Sequence, residues 1–326
     1  MRTVGTVCRL CASAGPHRTL NVREMMFGVR EHFEYFVCAG CDTLQILDAL
    51  EGDELLRHYP ENYYSYTAAD QPRVSRWLVT QHDSFKLRSG GRLFGRLLAT
   101  PLLDGVVRAL LGGDVPAMLA RLAIDRDARI LDVGCGGGEL LDRLRRVGFT
   151  QLTGADPYLP ADGATPGGTP LLKRELAEVT GEFDVIMFNH SLEHMLDPIA
   201  ALQLARERLA AGGRCLARVP TTSSEAWEVY GADWVQIDAP RHVFVPSRHG
   251  MSVAAEQAGL RVETTLDDSS LGQFLGSEAY RRDVPVTDPK ILRLFGPRQL
   301  WQWEQRAVDL NRAGRGDQTG FVLRAN

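Results

Sequence analysis

No run of eighteen apolar residues occurs anywhere in the chain, which excludes a conventional membrane-spanning helix. The first residues, Met1 to Cys8, lack the apolar centre of a secretory leader. Cytoplasmic residence is the default expectation. A strong charge of either sign is also missing. The formal net charge is -4 over 326 residues. Proteins that grip polynucleotides are more often basic, because phosphate neutralisation dominates their affinity. Nucleic acid is therefore not the expected partner, although a local basic patch can sit inside an acidic total. No internal repeat is visible. Cysteine is scarce, at six residues, too few and too unevenly placed for a disulfide framework in a chain of this size. What remains is 44% hydrophobic and 24% charged, an ordinary globular composition, long enough for a main domain and a smaller one.

Four of the six cysteines form two pairs of identical spacing, Cys8/Cys11 and Cys38/Cys41. Each pair can present two thiolates on one knuckle, and two knuckles complete a tetrahedral four-sulfur site for structural Zn2+. The stretch between them is rich in Phe, Tyr and Val (Phe27, Val29, Phe33, Tyr35, Phe36) and reads as a hairpin returning the second pair to the first. Residues 1–50 are too few to bury a core unaided, and a metal is the usual remedy. The module is expected to be separable, so that chelation unfolds it and leaves the rest largely intact.

Residues 51–125 read as a helical linker and pocket lid. His58 to Tyr66 is rich in tyrosine, suited to domain packing or to a ligand pocket. From about 73 to 125, apolar residues recur at helical spacing, punctuated by Gly112, Gly113 and Pro116. Residues 126–326 then alternate strand and helix. Strands are expected at 129–133, 152–155, 183–188, 214–219, 260–266 and 320–324, with helices near 138–147, 197–210, 247–258 and 297–312. That order predicts an α/β fold, a doubly wound, mostly parallel Rossmann-like sheet, beside the small zinc-ribbon-like module.

The main chemical signal is Ile130-Leu-Asp-Val-Gly-Cys-Gly-Gly-Gly138. A short strand meets an acidic residue and then a glycine turn opening a helix. Gly134, Gly136 and Gly138 allow a tight turn and close approach of a ligand. Asp132 can hold the turn's amides or meet a cationic ligand group. NAD sites instead place pyrophosphate on the helix N-terminus. S-adenosylmethionine (SAM) carries a sulfonium and an ammonium and no phosphate, so carboxylates suit it better. Asp156 ends the next strand, where an acidic side chain can accept ribose hydroxyls. Phe183 to His194 is a third strand running into a polar turn, with Asn189 and His190 facing the same edge.

These blocks, over roughly residues 128–266, resemble class I SAM-dependent methyltransferases. The resemblance implies that Gly134, Cys135, Gly136 and Gly138 line the methionine part of SAM. It further implies that Asp156 binds the ribose, and that Asn189 and His190 sit beside the cofactor. Glu175 is a candidate neighbour of the adenine. Glu193 and His194 resemble a frequent family element and read as structural. A four-cysteine module joined to such a domain is similar to the sugar C-methyltransferases and polysaccharide-cluster methyltransferases. Those enzymes continue into a large second α/β domain.

After the strand at 214–219 comes Trp227 to His242. It is expected to roof the site, with Trp227, Tyr230 and Trp234 as walls and Arg241 poised for a phosphate or carboxylate. In the sugar C-methyltransferases a His of the matching region is a candidate base. Here His242 takes that place, after Arg241 where those enzymes carry Glu. An imidazole suits removal of an acceptor proton. The leading expectation is methyl transfer to a small molecule, a nucleotide-linked sugar or related metabolite. An RNA or protein methyltransferase whose zinc module holds the polymer, and a non-catalytic SAM-binding subunit, remain the alternatives. Segments 276–282 and 311–318 are polar, and are read as completing the pocket or a homodimer contact.

Overall fold

The computed structural model describes residues 2–59, 73–88, 93–100, 103–104, 114–122 and 124–326. Tyr63, Tyr64, Tyr66, Leu102, Val106, Leu110, Leu111, Gly112 and Gly113, on which part of the linker reading rests, lie outside those residues.

The amino-terminal part contributes strands β1 (Thr3–Val4), β2 (His17–Arg23), β3 (His32–Val37) and β4 (Leu44–Ile46). Helices α1 (Gly52–Leu56), α2 (Arg73–Lys86), α3 (Phe94–Leu98) and α4 (Val115–Arg121) follow. The α/β part then runs β5 (Ile130–Val133), α5 (Glu139–Arg146), β6 (Leu152–Ala155), β7 (Gly163–Ala164), β8 (Pro170–Leu172), β9 (Phe183–Asn189) and α6 (Pro198–Arg208). It continues through β10 (Leu209–Pro220), α7 (Glu225–Tyr230), β11 (Phe244–Val245), α8 (Arg248–Gln257) and β12 (Leu260–Asp267). The last elements are α9 (Gly272–Arg281), α10 (Pro297–Arg312) and β13 (Gln318–Ala325).

Eight strands form the main sheet in the order β12-β13-β10-β9-β5-β6-β8-β7. The neighbours β10, β9, β5, β6 and β8 are mutually parallel, while β13 lies antiparallel between β10 and β12. This is the Rossmann-like methyltransferase architecture, mixed and mostly parallel. The central strands are buried on both faces, as their unbroken apolar sequences require. One face carries α4 and α5, through Met118, Leu119, Leu141 and Leu144. The other packs Leu202, Ala205, Met251 and Ala254 from α6 and α8. Helix starts are fixed by side-chain caps. Asp197 Oδ1 accepts from Ala200 N at 2.9 Å, and Ser247 Oγ accepts from Gly250 N at 2.8 Å.

The second sheet is antiparallel, in the order β1-β2-β3-β4-β11. Its last strand, Phe244–Val245, belongs to the α/β part of the chain. The sheet is therefore not closed within residues 1–50. Its apolar side chains, Tyr35, Phe36, Leu44 and Ile46, pack into the same core as Phe188, Val219 and Phe244.

Segment 276–282, read from sequence as a polar stretch completing the pocket or a homodimer contact, lies largely within α9, with Gly276, Ser277, Ala279 and Tyr280 buried. Gly276 is required there by packing, since a Cβ would meet Val235 Cγ2 at 2.5 Å.

Candidate active site and metal centre

Strands β5, β6 and β9 are adjacent and parallel, so their carboxyl ends open on one edge. Asp132, Gly134, Cys135, Gly136, Gly138, Asp156, Asn189 and His190 meet there. Gly134 has φ +74°, and a Cβ on it would meet Ser191 Cβ at 2.4 Å. Gly138 caps α5 at φ +75° and would clash with Thr165 and Leu171. Backbone strain and space both demand glycine at these two positions.

The carboxylate that holds the turn is Asp156. Gly136 N donates to its Oδ2 and Tyr158 N to its Oδ1, each at 2.9 Å. Asp132, expected as one of the possible anchors of the amides, is instead 3% exposed, and its Oδ1 has no hydrogen-bond partner among the described residues. Burial, with the nearby Asp156 charge, pushes its carboxyl up to about 8. An unpartnered buried carboxyl oxygen is costly. It fits a cationic ligand at this edge. Burial also raises the Cys135 thiol, with help from Asp132 and Asp156, so it stays neutral.

Asn189 Oδ1 accepts from Arg218 Nη1 at 3.0 Å, and Arg218 Nε donates to Asp268 Oδ2 at 2.9 Å. His190 has φ +55°, a strained backbone for a side chain with a Cβ. Its Nδ1 faces Glu193 Oε1 at 3.0 Å, and its Nε2 lies 2.6 Å from the Gln318 side-chain amide. With that amide turned so that its neighbours are satisfied, the Gln318 oxygen accepts from His190 Nε2 and from Arg218. Both ring nitrogens then face oxygen.

His242 does not reach this edge directly. It is 5% exposed, with Nδ1 2.9 Å from Gln236 O and Nε2 3.9 Å from both Glu193 Oε1 and Asp238 Oδ2. It sits one carboxylate behind His190. Burial, reinforced by His194, pulls it down to about 4. Glu193 is fully buried. Burial alone would raise its carboxyl, but the hydrogen bond from His190 and the charges of the surrounding histidines outweigh that and hold it near about 2.

Several roof residues are committed elsewhere. Arg241 Nη2 binds Glu24 Oε1 at 2.8 Å and Asp238 Oδ1 at 2.6 Å, and Nη1 binds His58 O. Its guanidinium is an internal ion-pair partner, closed to a phosphate ligand. Trp234 is fully buried and donates Nε1–H to Asp317 Oδ2 at 3.1 Å. Tyr230 lies under the Arg281 guanidinium at 4.5 Å. Glu175 is an exposed capping residue of the turn Leu176–Glu178.

The four amino-terminal cysteines converge. Their sulfurs lie within 4.8 Å of one another, with Cys8 Sγ 3.6 Å from Cys41 Sγ and Cys11 Sγ 3.4 Å from Cys38 Sγ. A tetrahedral metal–sulfur bond of about 2.3 Å needs sulfurs about 3.8 Å apart. The two knuckles match. Ala12 and Asp42 both adopt φ +57°, with N–H groups returning to Cys8 O at 3.0 Å and Cys38 O at 2.9 Å. Leu10 N and Gly40 N donate to the first sulfur of each pair, at 3.4 and 3.3 Å. These residues can hold one metal ion.

With this geometry in place, residues 108–265, just under half of the chain, match the family model described as a methyltransferase domain. Over these residues the α/β part has the Rossmann-like fold of a methyltransferase domain. Among curated relatives, a ubiquinone biosynthesis O-methyltransferase of Cereibacter sphaeroides (strain ATCC 17025 / ATH 2.4.3) is 31% identical over 125 residues, which are 35% of this chain and 50% of the relative. One of Xanthomonas oryzae pv. oryzae (strain PXO99A) is 32% identical over 127 residues, 35% of this chain and 53% of the relative. The chain spans about half the length of the curated relatives it matches. Among solved structures, mycolic acid cyclopropane synthase CmaA1 complexed with SAH and CTAB aligns over 68% of this chain and 85% of its own, at 17% identity and TM-score 0.43.

Sequence reasoning missed Gln318, Arg218 and Asp268, which support the edge from strands distant in sequence. It read Glu193 as structural, and the structure sets that side chain against the His190 ring at 3.0 Å. The only local signal for Glu193 was its place in an acidic-basic pair, Glu193-His194, directly after the strand's polar turn.

Proposed function

We propose that the protein transfers a methyl group from SAM to a hydroxyl of a small-molecule acceptor. The observation that carries the reading is the unpartnered Asp132 carboxyl beside the glycine turn. Among the described residues nothing satisfies its Oδ1, and it suits a cationic cofactor without phosphate. Asp132 and the turn from Gly134 to Gly138, with Cys135, would hold the methionine end. Asp156 would hold the ribose, with Asn189 and His190 alongside. When bound, SAM supplies an electrophilic methyl group.

The chain's task is then to place the acceptor oxygen and to take its proton. His190 is the side chain placed for both. It stands at the open edge with its ring oriented by Glu193; in the neutral ring Nδ1–H donates to Glu193 and Nε2 holds the lone pair, which takes the proton once the Gln318 side chain turns away from its 2.6 Å contact. His242, proposed from sequence as the base, acts on this reading through Glu193 and not on the acceptor itself.

For the acceptor, the ubiquinone-pathway names of the relatives favour a phenolic hydroxyl over a nucleotide-linked sugar. The four-cysteine module favours the sugar reading by its resemblance. A panel holding both classes, read by mass spectrometry with SAM as donor, decides between them. A methyl gain confined to phenols supports the first, and one confined to sugars replaces it. We further propose that Cys8, Cys11, Cys38 and Cys41 hold a structural Zn2+, since all four of its positions are filled by protein.

A further inference from the structure

We infer that Glu193, His194 and His242 form a second metal site for a divalent first-row transition ion, beneath the carboxyl edge of the sheet. One ligand atom from each lies within 4.8 Å of the others. The two imidazole rings meet edge to face with centroids 4.7 Å apart.

Each ring has the outer support that metal-binding histidines need. His194 Nδ1 is 2.9 Å from Arg241 O, and His242 Nδ1 is 2.9 Å from Gln236 O. A carbonyl can only accept, so each Nδ1 carries the proton and each Nε2 carries the lone pair. His242 Nε2 lies 3.9 Å from Glu193 Oε1. The second, independent observation is Glu193 Oε2. It is fully buried and has no hydrogen-bond partner among the described residues. A charged oxygen left bare inside a protein is costly, and a cation beside it removes the cost.

The backbone around the triad is fixed as well. Val243 N donates to Glu193 O at 2.8 Å, and the Tyr35 hydroxyl donates to His242 O at 2.9 Å. The ligands are thereby held before any ion arrives. Two imidazoles and one carboxylate select Zn2+, Fe2+, Co2+ or Mn2+ over Mg2+ and Ca2+. With Oε1 on His190 and Oε2 free for the ion, Glu193 would tie the metal to the proton-accepting edge. The site itself does not depend on the methyl-transfer reading.

Full-length protein loaded with Co2+ tests this through metal content and absorption. Thiolate charge-transfer bands report the four-cysteine site, and weaker bands free of thiolate character report the triad. Wild type is expected to bind two ions per chain. Glu193→Gln and His242→Asn are each expected to lose the second ion and keep the thiolate bands, which also shows that the amino-terminal sheet is folded. One ion per chain in wild type, with only thiolate absorption, would overturn the proposal. So would two ions retained in both variants. Should the substitutions unfold the chain, pulsed EPR of Mn2+-loaded wild type decides. Nitrogen couplings from two imidazoles support the triad, and their absence overturns it.

Discussion

Burial and the Asp156 charge keep the Asp132 carboxyl protonated up to about pH 8. A folded-state value above the unfolded one makes this group a stabiliser only at low pH. Its contribution is lost as pH rises from the ordinary carboxylate range through about 8. A cation bound beside it favours the ionised form. SAM binding below pH 8 should therefore release a proton, and affinity should rise with pH and level off above about 8. Calorimetry in buffers of different ionisation enthalpy measures the release, and Asp132→Asn should abolish it. Buffer-independent binding in wild type would remove Asp132 from the cofactor site.

His190→Gln should lower turnover by about 10²- to 10⁴-fold, the usual range for a lost proton acceptor, a larger loss than any it causes in SAM affinity. The glycine turn was legible as a turn because its logic is local, a strand, a turn and a helix in sequence; that Asp156 and not Asp132 holds its amides was not. Nor were the fates of His242 and Arg241. Arg241 is neutralised by Glu24, 217 positions away, and Gln318 meets His190 across 128 positions. No spacing rule anticipates either contact.

Among the elements, α2 is clamped to the domain by a buried charge cluster. Asp83 binds Arg143 of α5 in bidentate fashion, at 2.5 and 2.7 Å. His82 lies between Asp83 Oδ1 at 3.1 Å and Asp104 Oδ1 at 3.0 Å. Lys86 Nζ reaches Asp104 at 2.6 Å and Asp114 at 3.1 Å. Burial alone would lower His82, but its two carboxylate partners and Asp114 outweigh that and raise it. A raised histidine stabilises fully below its unfolded value near 6.5, and that contribution is lost as pH climbs through the raised one. Hydrogen exchange of α2 should accelerate on the alkaline side, and His82→Gln should flatten that dependence. Asp83→Ala leaves Arg143 buried without its partner and should cost about 3–5 kcal/mol of stability. The helical reading of about 73–125 spans α2, although the apolar spacing behind it begins only at Phe94. It could not foresee that the polar face of this helix, and not only its apolar one, is turned inward.

At the level of the whole molecule, the amino-terminal sheet takes its last strand, β11, from the α/β part of the chain, and the two sheets share a core. The sequence suggested a separable amino-terminal module, because its cysteines and hairpin are local features. The structure pairs β4 with β11 and donates the Tyr35 hydroxyl to His242 O, so the module supports the segment behind the active-site edge. Chelation of the proposed Zn2+ should then both lower the melting temperature and weaken SAM binding, since Phe244–Val245 loses its partner strand. Unchanged SAM affinity after complete metal removal would restore the picture of independent units. Among the described residues no helix is long and apolar enough to cross a membrane.

The most direct test of the central claim is transfer of an isotope-labelled methyl group from SAM to a panel of phenols and nucleotide-linked sugars, followed by mass spectrometry. The account predicts a labelled methyl on an oxygen of one acceptor class, lost in His190→Gln. Absence of label on every small molecule, with label appearing on RNA or protein instead, would contradict it.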